Sequence, residues 1–351
     1  MNTHINIMRL TAAFVLAAFA AGAATGASMT YDPITGVNTL TSGAEDESLT
    51  YDPATGVYTM VYYNTYDQAT PVLQRARFEL PTRIDPAIGS KIKDAGNGRT
   101  LYRYKLSNGA ASKQNLSFMQ LFVSHAHEGT QITPAGWDGT IVPHYARGTG
   151  SIVTLDQLPR FGSGLKPGQS LGNFSFQSQD LPGVDEARTL GNARRDLGGF
   201  PDMGPMDATP VGKQYTALSQ ANESVRRFAA VPKIHNPTPF SAAVLLGGIQ
   251  KHVKDDLASM QLIDPVLLAS IDRGLTQAII AAQGGNTPSL LHEIKSLRQL
   301  LKQEHADVDQ DNDGDDDDKE KQPNPRIAKL AAKVLDFDLK YIEKRTTGDK
   351  D

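Results

Sequence analysis

Between residues 307 and 320 the chain holds eight Asp and one Glu against a single Lys, and their spacing is ordered. Asp309, Asp311 and Asp313 alternate, Gly314 follows, Asp315 and Asp317 continue the run, and Glu320 closes it. Carboxylates at the first, third and fifth positions of a tight loop converge on a hard cation that takes roughly six to eight oxygens. Gly314 permits the sharp turn, Asp315 offers a backbone carbonyl, and Glu320 at the twelfth position can bind through both oxygens. Calcium is the ion this set suits. Without an ion, the same residues read as a solvated acidic linker that repels itself.

A second cluster is Ser124-His125-Ala126-His127-Glu128, with His144 downstream. On a strand His125 and His127 share a face and can chelate one transition metal while Glu128 points away. A third ligand is required, and His144 and Asp138 are the candidates. The other reading is a loop whose histidines face solvent. Trp137, the single tryptophan, lies in Pro-Ala-Gly-Trp-Asp-Gly; exposed, it would stack on a sugar ring, and buried, it is a corner of the core. No G-x-S-x-G elbow and no phosphate-binding G-x-x-x-x-G-K-[ST] loop occurs. Arg188, Arg194 and Arg195 make a small basic patch, short of the basic stripe that nucleic-acid binding needs.

The elements that must hold these residues follow from composition and period. The chain has 351 residues, enough for about two domains, and no cysteine, which excludes disulfide scaffolds, thiolate metal sites and cysteine nucleophiles. Its net charge of −4 conceals the acidic segment: 307–320 alone carries −8, so the other 337 residues sum to +4. Arg9 and the apolar run Leu10 to Ala21, followed by small residues, predict an export signal over residues 1–27. No later apolar stretch is long enough to span a membrane. The expected location is therefore exported: periplasmic, cell-surface or extracellular.

Residues 28–46 read as a flexible N-terminal segment. Within it Thr30-Tyr-Asp-Pro-Ile-Thr-Gly-Val37 nearly recurs as Thr50-Tyr-Asp-Pro-Ala-Thr-Gly-Val57, and Asp-Pro-x-x-Gly is turn chemistry. Short β-branched and aromatic runs then follow one another with Gly, Pro and Asn between them. Tyr102, Tyr104 and Leu106 alternate with Leu101, Arg103 and Lys105, as a half-buried strand requires. This pattern predicts a β-sandwich over 47–182, followed by a Gly/Pro-rich linker over 183–239. From 240 to 351 the period becomes helical. Asp264-Pro265, Thr287-Pro288 and Asn324-Pro325 each read as a capped helix start, and a further helix is expected near 241–260. The fold class is thus an all-β sandwich followed by a small all-α helical bundle, with the acidic loop inserted before the last helix.

Leu262 to Arg345 resembles the FIMAH domain, a small helical module of exported bacterial and archaeal proteins. The resemblance rests on the hairpin beginning Leu267-Leu-Ala-Ser-Ile-Asp272, the Gly284-Gly-Asn286 turn, the helix Leu290 to Leu301, and the closing Lys333-Val-Leu-Asp-Phe-Asp-Leu-Lys-Tyr-Ile342. The acidic residues resemble EF-hand and thrombospondin type 3 calcium loops. Asp316 stands where an EF-hand puts an aliphatic residue, and Pro323 and Pro325 follow closely, so an isolated loop is expected rather than a paired one. The upstream part, with Pro134-Ala-Gly-Trp137 and Pro167-Gly-Gln-Ser-Leu-Gly-Asn-Phe-Ser-Phe176, is similar to β-domains of uncharacterised exported bacterial proteins. These resemblances imply a surface or envelope protein and supply no catalytic residues. The functional expectation is a non-catalytic binding or structural component with calcium in its acidic loop and a surface protein or polysaccharide as partner. The alternatives are a metal-dependent hydrolase built on His125 and His127, and a carbohydrate-binding accessory.

Overall fold

The computed structural model describes residues 28–32, 37–41, 47–64, 72–96, 98–143, 150–157, 164–193, 209–305 and 325–348. These form two compact units: one contains β1–β5 and α1, the other β6–β13 and α2–α5.

In the first unit the near-repeat becomes two β-hairpins. β1 (Ser28–Asp32) pairs with β2 (Val37–Thr41), and β3 (Ser48–Asp52) with β4 (Val57–Asn64). The registers match: Asp32 faces Val37 as Asp52 faces Val57. In the second copy Asp52 holds the turn, accepting from Ala54 N–H at 2.9 Å and from the Thr55 hydroxyl at 2.7 Å. Gly56 takes the positive φ of 73° that closes it. β5 (Val72–Phe78) completes a three-stranded sheet in the order β3-β4-β5. Phe78 stacks on Tyr58 and meets Tyr215 of α1 (Pro210–Ala221) edge-on.

The second unit is a β-sandwich with helices against one of its sheets. The smaller sheet runs β11-β7-β6, from β6 (Pro86–Gly96), β7 (Arg99–Asn108) and β11 (Ser170–Ser178). The larger runs β13-β12-β8-β10-β9, from β8 (Leu116–Val123), β9 (Trp137–Pro143), β10 (Ser151–Gln157), β12 (Leu181–Gly191) and β13 (Val225–Ile234). All pairings are antiparallel. Tyr102, Tyr104 and Leu106 point inward, as their alternation requires, and meet Phe174 and Phe176, Met119 and Leu121, and Val153 and Leu155. Tyr102 and Phe176 stack at 5.5 Å. The free edge of β13 is bound by side chains of the smaller sheet: Ala230 N–H donates to Ser90 Oγ, and Tyr104 Oη donates to Ala230 O.

β12 and β13 lie where a linker was expected. Their faces divide between two cores: Ala187, Ala229 and Val231 belong to the sandwich interior, whereas Leu181, Val184, Ala230 and Ile234 join the helices. The expected boundary at residue 182 therefore falls inside a strand, and the sandwich begins at β6 rather than at residue 47. A strand covered on both faces has no polar alternation to reveal it.

The helices follow their start signals closely. α2 (Ala242–His252) is capped by Ser241 and runs into a π-helical turn, Val253–Leu257. α3 (Pro265–Gln283) is capped by Asp264, whose carboxylate accepts from Val266 and Leu267 N–H, and α4 (Thr287–Glu304) by Asn286. α5 (Lys329–Thr347) starts four residues after Pro325, later than expected. The intervening residues pair with the chain ahead of α3 instead: Asp264 N–H donates to Arg326 O at 2.6 Å and Ala328 N–H to Leu262 O at 2.8 Å. Leu246, Ile249, Leu267, Ile271, Leu297 and Leu335 are among the side chains that fill the helical core. Arg298 of α4 ties to α5 through Asp336 and Glu343, both at 2.8 Å. Among the described residues, no helix is long and apolar enough to cross a membrane.

Candidate functional site

The acidic ligand set Asp309, Asp311, Asp313, Asp315, Asp317 and Glu320 lies outside the described residues. The two points from which it departs are well defined. α4 ends at Glu304, and His305 closes it by donating its backbone N–H to Leu301 O. Glu304 is buried, and its carboxylate accepts from Arg326 Nε at 3.0 Å and Arg326 N–H at 3.3 Å, with a further bond from the guanidinium. The Arg326 hydrogen bonds hold this carboxyl below its ordinary range. His305 Nε2 donates to Ile327 O at 2.6 Å, and Ile327 in turn bridges to Ile263. Residues 304–305 and 326–327 are thus clamped together. The described residues on either side of 306–324 are therefore held at one place, so the entropy of bringing those two ends together is already met by the helices.

At one end of the sandwich the structure gathers a second group. The chain after β8 crosses to the smaller sheet: His127 N–H donates to Gln177 O, and Ile132 pairs with Ser175. This crossing places His125 and His127 side by side, with ring centroids 4.9 Å apart. His127 Nε2 is buried and without a hydrogen-bond partner. Burial first, then Arg99 and His125, lower the His127 pKa, against an opposing pull from Asp180. Imidazole is accordingly its form at neutral pH.

Asp180, which the sequence reading did not single out, organises this end. Its carboxylate accepts from Ser124 Oγ at 2.5 Å and contacts His235 Nδ1 at 3.3 Å. Its N–H donates to Ser178 Oγ, and its carbonyl accepts from Tyr102 Oη at 2.9 Å. The order Ser–Asp–His puts the carboxylate in the middle. A nucleophilic serine needs the imidazole between itself and the acid, so the group lacks the relay of a serine hydrolase. Asp180 acts as a clasp on the ends of β8, β12 and β13. Asp180 lies in the two-residue link between β11 and β12, and the expected domain boundary at 182 hid it.

Of the proposed third metal ligands, Asp138 is excluded by register. It faces Asp156 on β10, which faces Phe118, whereas His125 lies beyond Val123 at the other end of β8. Five residues of strand separate the two ends, about 17 Å. His144 lies outside the described residues, although Pro143 before it is in register with Ser151 and so with Val123. Among the described residues no group of three or more His, Asp or Glu side chains is placed to hold a metal ion. Glu128 is exposed. Trp137 is buried and meets Phe174 in a T-shaped contact at 5.1 Å.

No family model matches the chain, and no curated protein does. A solved structure that it is similar to is an uncharacterised protein from Nocardia farcinica, described as revealing an immunoglobulin-like fold. The alignment covers 34% of this chain and 91% of that one, at 12% identity and a TM-score of 0.25.

Proposed function

We propose that the chain is an exported binding or structural component of the cell surface or envelope, and that its acidic segment binds calcium. The observation that carries this reading is the pairing of an ordered ligand series, Asp309 to Glu320, with attachment points already clamped by Glu304–Arg326 and His305–Ile327. A pinned loop spends little entropy in bringing its ends together. What opposes its ordering is mutual repulsion of the carboxylates, which a divalent ion removes.

The expected affinity is weak, on the order of millimolar, as in extracellular calcium modules. At a calcium concentration about ten times the Kd, mass action stabilises the bound protein by about 1.4 kcal/mol. Calorimetric titration of the full chain with calcium should give one site, lost in the double variant Asp311→Ala/Glu320→Ala. Absence of binding heat together with an unmoved Tm would overturn the reading. The metal-dependent hydrolase built on His125 and His127 has weaker support, because Asp138 stands at the far end of the sheet.

A further inference from the structure

The three acidic side chains of α5 are held within the bundle. Asp336 and Glu343 both hold Arg298, and Asp338 is sealed in the core. Lys340 and Lys344, one turn apart, border a groove between α5 and β6, and Lys93 stands with them in its lining. Ile92, Phe337 and Tyr341 form the apolar and aromatic walls of this cavity of about 250 Å³. That is smaller than the roughly 300–1,000 Å³ of sites for drug-sized ligands, and suits a group of one ring.

The electrostatics of the groove favour an anion. Like charges at i and i+4 repel each other on a helix, and a third lysine from the neighbouring strand adds to the local potential. Asp94 lines the same groove and lowers its positive charge, and Lys344 has an interaction of its own, so Lys340 and Lys93 carry most of that charge; Asp94 Oδ1 also accepts from Gly96 N–H at 2.8 Å. Tyr341 Oη accepts from Asn236 Nδ2 at 2.9 Å, which leaves the phenol proton to be donated. The groove therefore presents ammonium and hydroxyl donors beside aromatic ring surface.

We propose that this groove binds the carboxylate-bearing ring of an acidic sugar, as found in a surface polysaccharide; the inference rests on reading the chain as an exported binding component. The carboxylate would lie against Lys340, Lys344 and Lys93, and the C–H face of the ring against Tyr341 and Phe337.

The test is calorimetric titration of the full chain with three probes: a galacturonate trimer, its neutral methyl ester, and inorganic phosphate. The acidic trimer should bind, more weakly as salt rises. The ester and phosphate should each bind about tenfold more weakly, or worse. Lys340→Gln/Lys344→Gln should weaken the acidic trimer by a similar factor, with circular dichroism and Tm confirming that the variant is folded. Tyr341→Phe, which keeps the ring and removes the donor, should cost less. No binding of the trimer, equal binding of the ester or phosphate, or an unchanged folded lysine variant would each overturn the proposal. Repeating the titration with calcium and with chelator separates the two readings. Saccharide binding without calcium binding refutes only the acidic loop, and the reverse refutes only the groove.

Discussion

Replacing Asp338 with Asn should flatten the pH dependence of stability. Asp338 sits on the core face of α5 with no exposed surface, and neither carboxylate oxygen has a hydrogen-bond partner. Burial drives its pKa well above the ordinary carboxylate value, so the folded chain keeps the acid form. An unfolded Asp releases its proton near pH 3.9. Between that pH and the raised folded value, folding takes up one proton, and stability must fall as pH rises. The slope is about 1.4 kcal/mol per pH unit, or roughly 3–6 °C of Tm for a unit of this size. Asn has the same shape and no titration. Wild type and Asp338→Asn should therefore be similar near pH 4 and diverge steadily above it, with the variant the more stable. Urea melts at unit pH intervals, read as the difference between the two proteins, cancel every other titrating group. One of these is His127, whose lowered pKa works in the opposite sense: its contribution is present above about pH 6.5 and is lost as pH falls. Parallel profiles, or a variant less stable at every pH, would refute the assignment of Asp338 as a buried, unpaired acid.

Two further substitutions probe the packing that positions the sites. His252 is buried between the helices and the sheet: its Nε2 accepts from Val184 N–H at 3.0 Å, so its Nδ1 carries the proton and donates to Asp256 at 2.7 Å. His252→Ala leaves that strand N–H unpaired beside a cavity, and should cost about 2–4 kcal/mol in chemical denaturation. Gly274 of α3 faces Leu297 of α4, and a Cβ there would lie 2.6 Å from Leu297 Cδ2 and 3.0 Å from its Cγ. Gly274→Ala should therefore destabilise by about 1–2 kcal/mol despite Ala's better helix propensity; a gain measured in urea melts would show that Leu297 yields freely.

What the sequence made legible depended on whether a residue's environment left a periodic trace. Tyr102, Tyr104 and Leu106 lie on a strand with one apolar face, so the alternation exposes it. Asp264-Pro265 and Asn286 announce helices through short-range caps. β12 and β13 were opaque for the opposite reason. Val184, Ala187, Ala229, Ala230 and Val231 are buried on both sides of the sheet, and Pro182 faces Pro232 at a register shift, so the pattern resembles a Pro-rich linker. Asp180 was invisible as a partner of Ser124 because 56 residues separate them and only the end of the sandwich brings them together. His125 and His127 come together in the loop after β8 rather than on a strand, and among the described residues no third ligand joins them. Register decides which end of a sheet Asp138 occupies, and a single sequence carries no register between distant strands.

The two-faced strands change how the helical bundle must be studied. Leu181, Val184, Ala230 and Ile234 contribute to the same core as Leu246, Leu267 and Leu335, and His252 bonds directly to the backbone of β12. A fragment cut at residue 240 would expose the helical side of that core and strip His252 of its acceptor role. The clamp of Glu304 and His305 on Arg326 and Ile327 belongs to the same packed unit, through Ile263 and Ile327 in its core. Calcium binding at the acidic segment would thus be linked to the stability of sheet and helices together. The expected signature is a rise in one shared unfolding transition of the full chain, whereas a bundle that behaved as an independent module would give a calcium-sensitive transition separate from that of the sandwich.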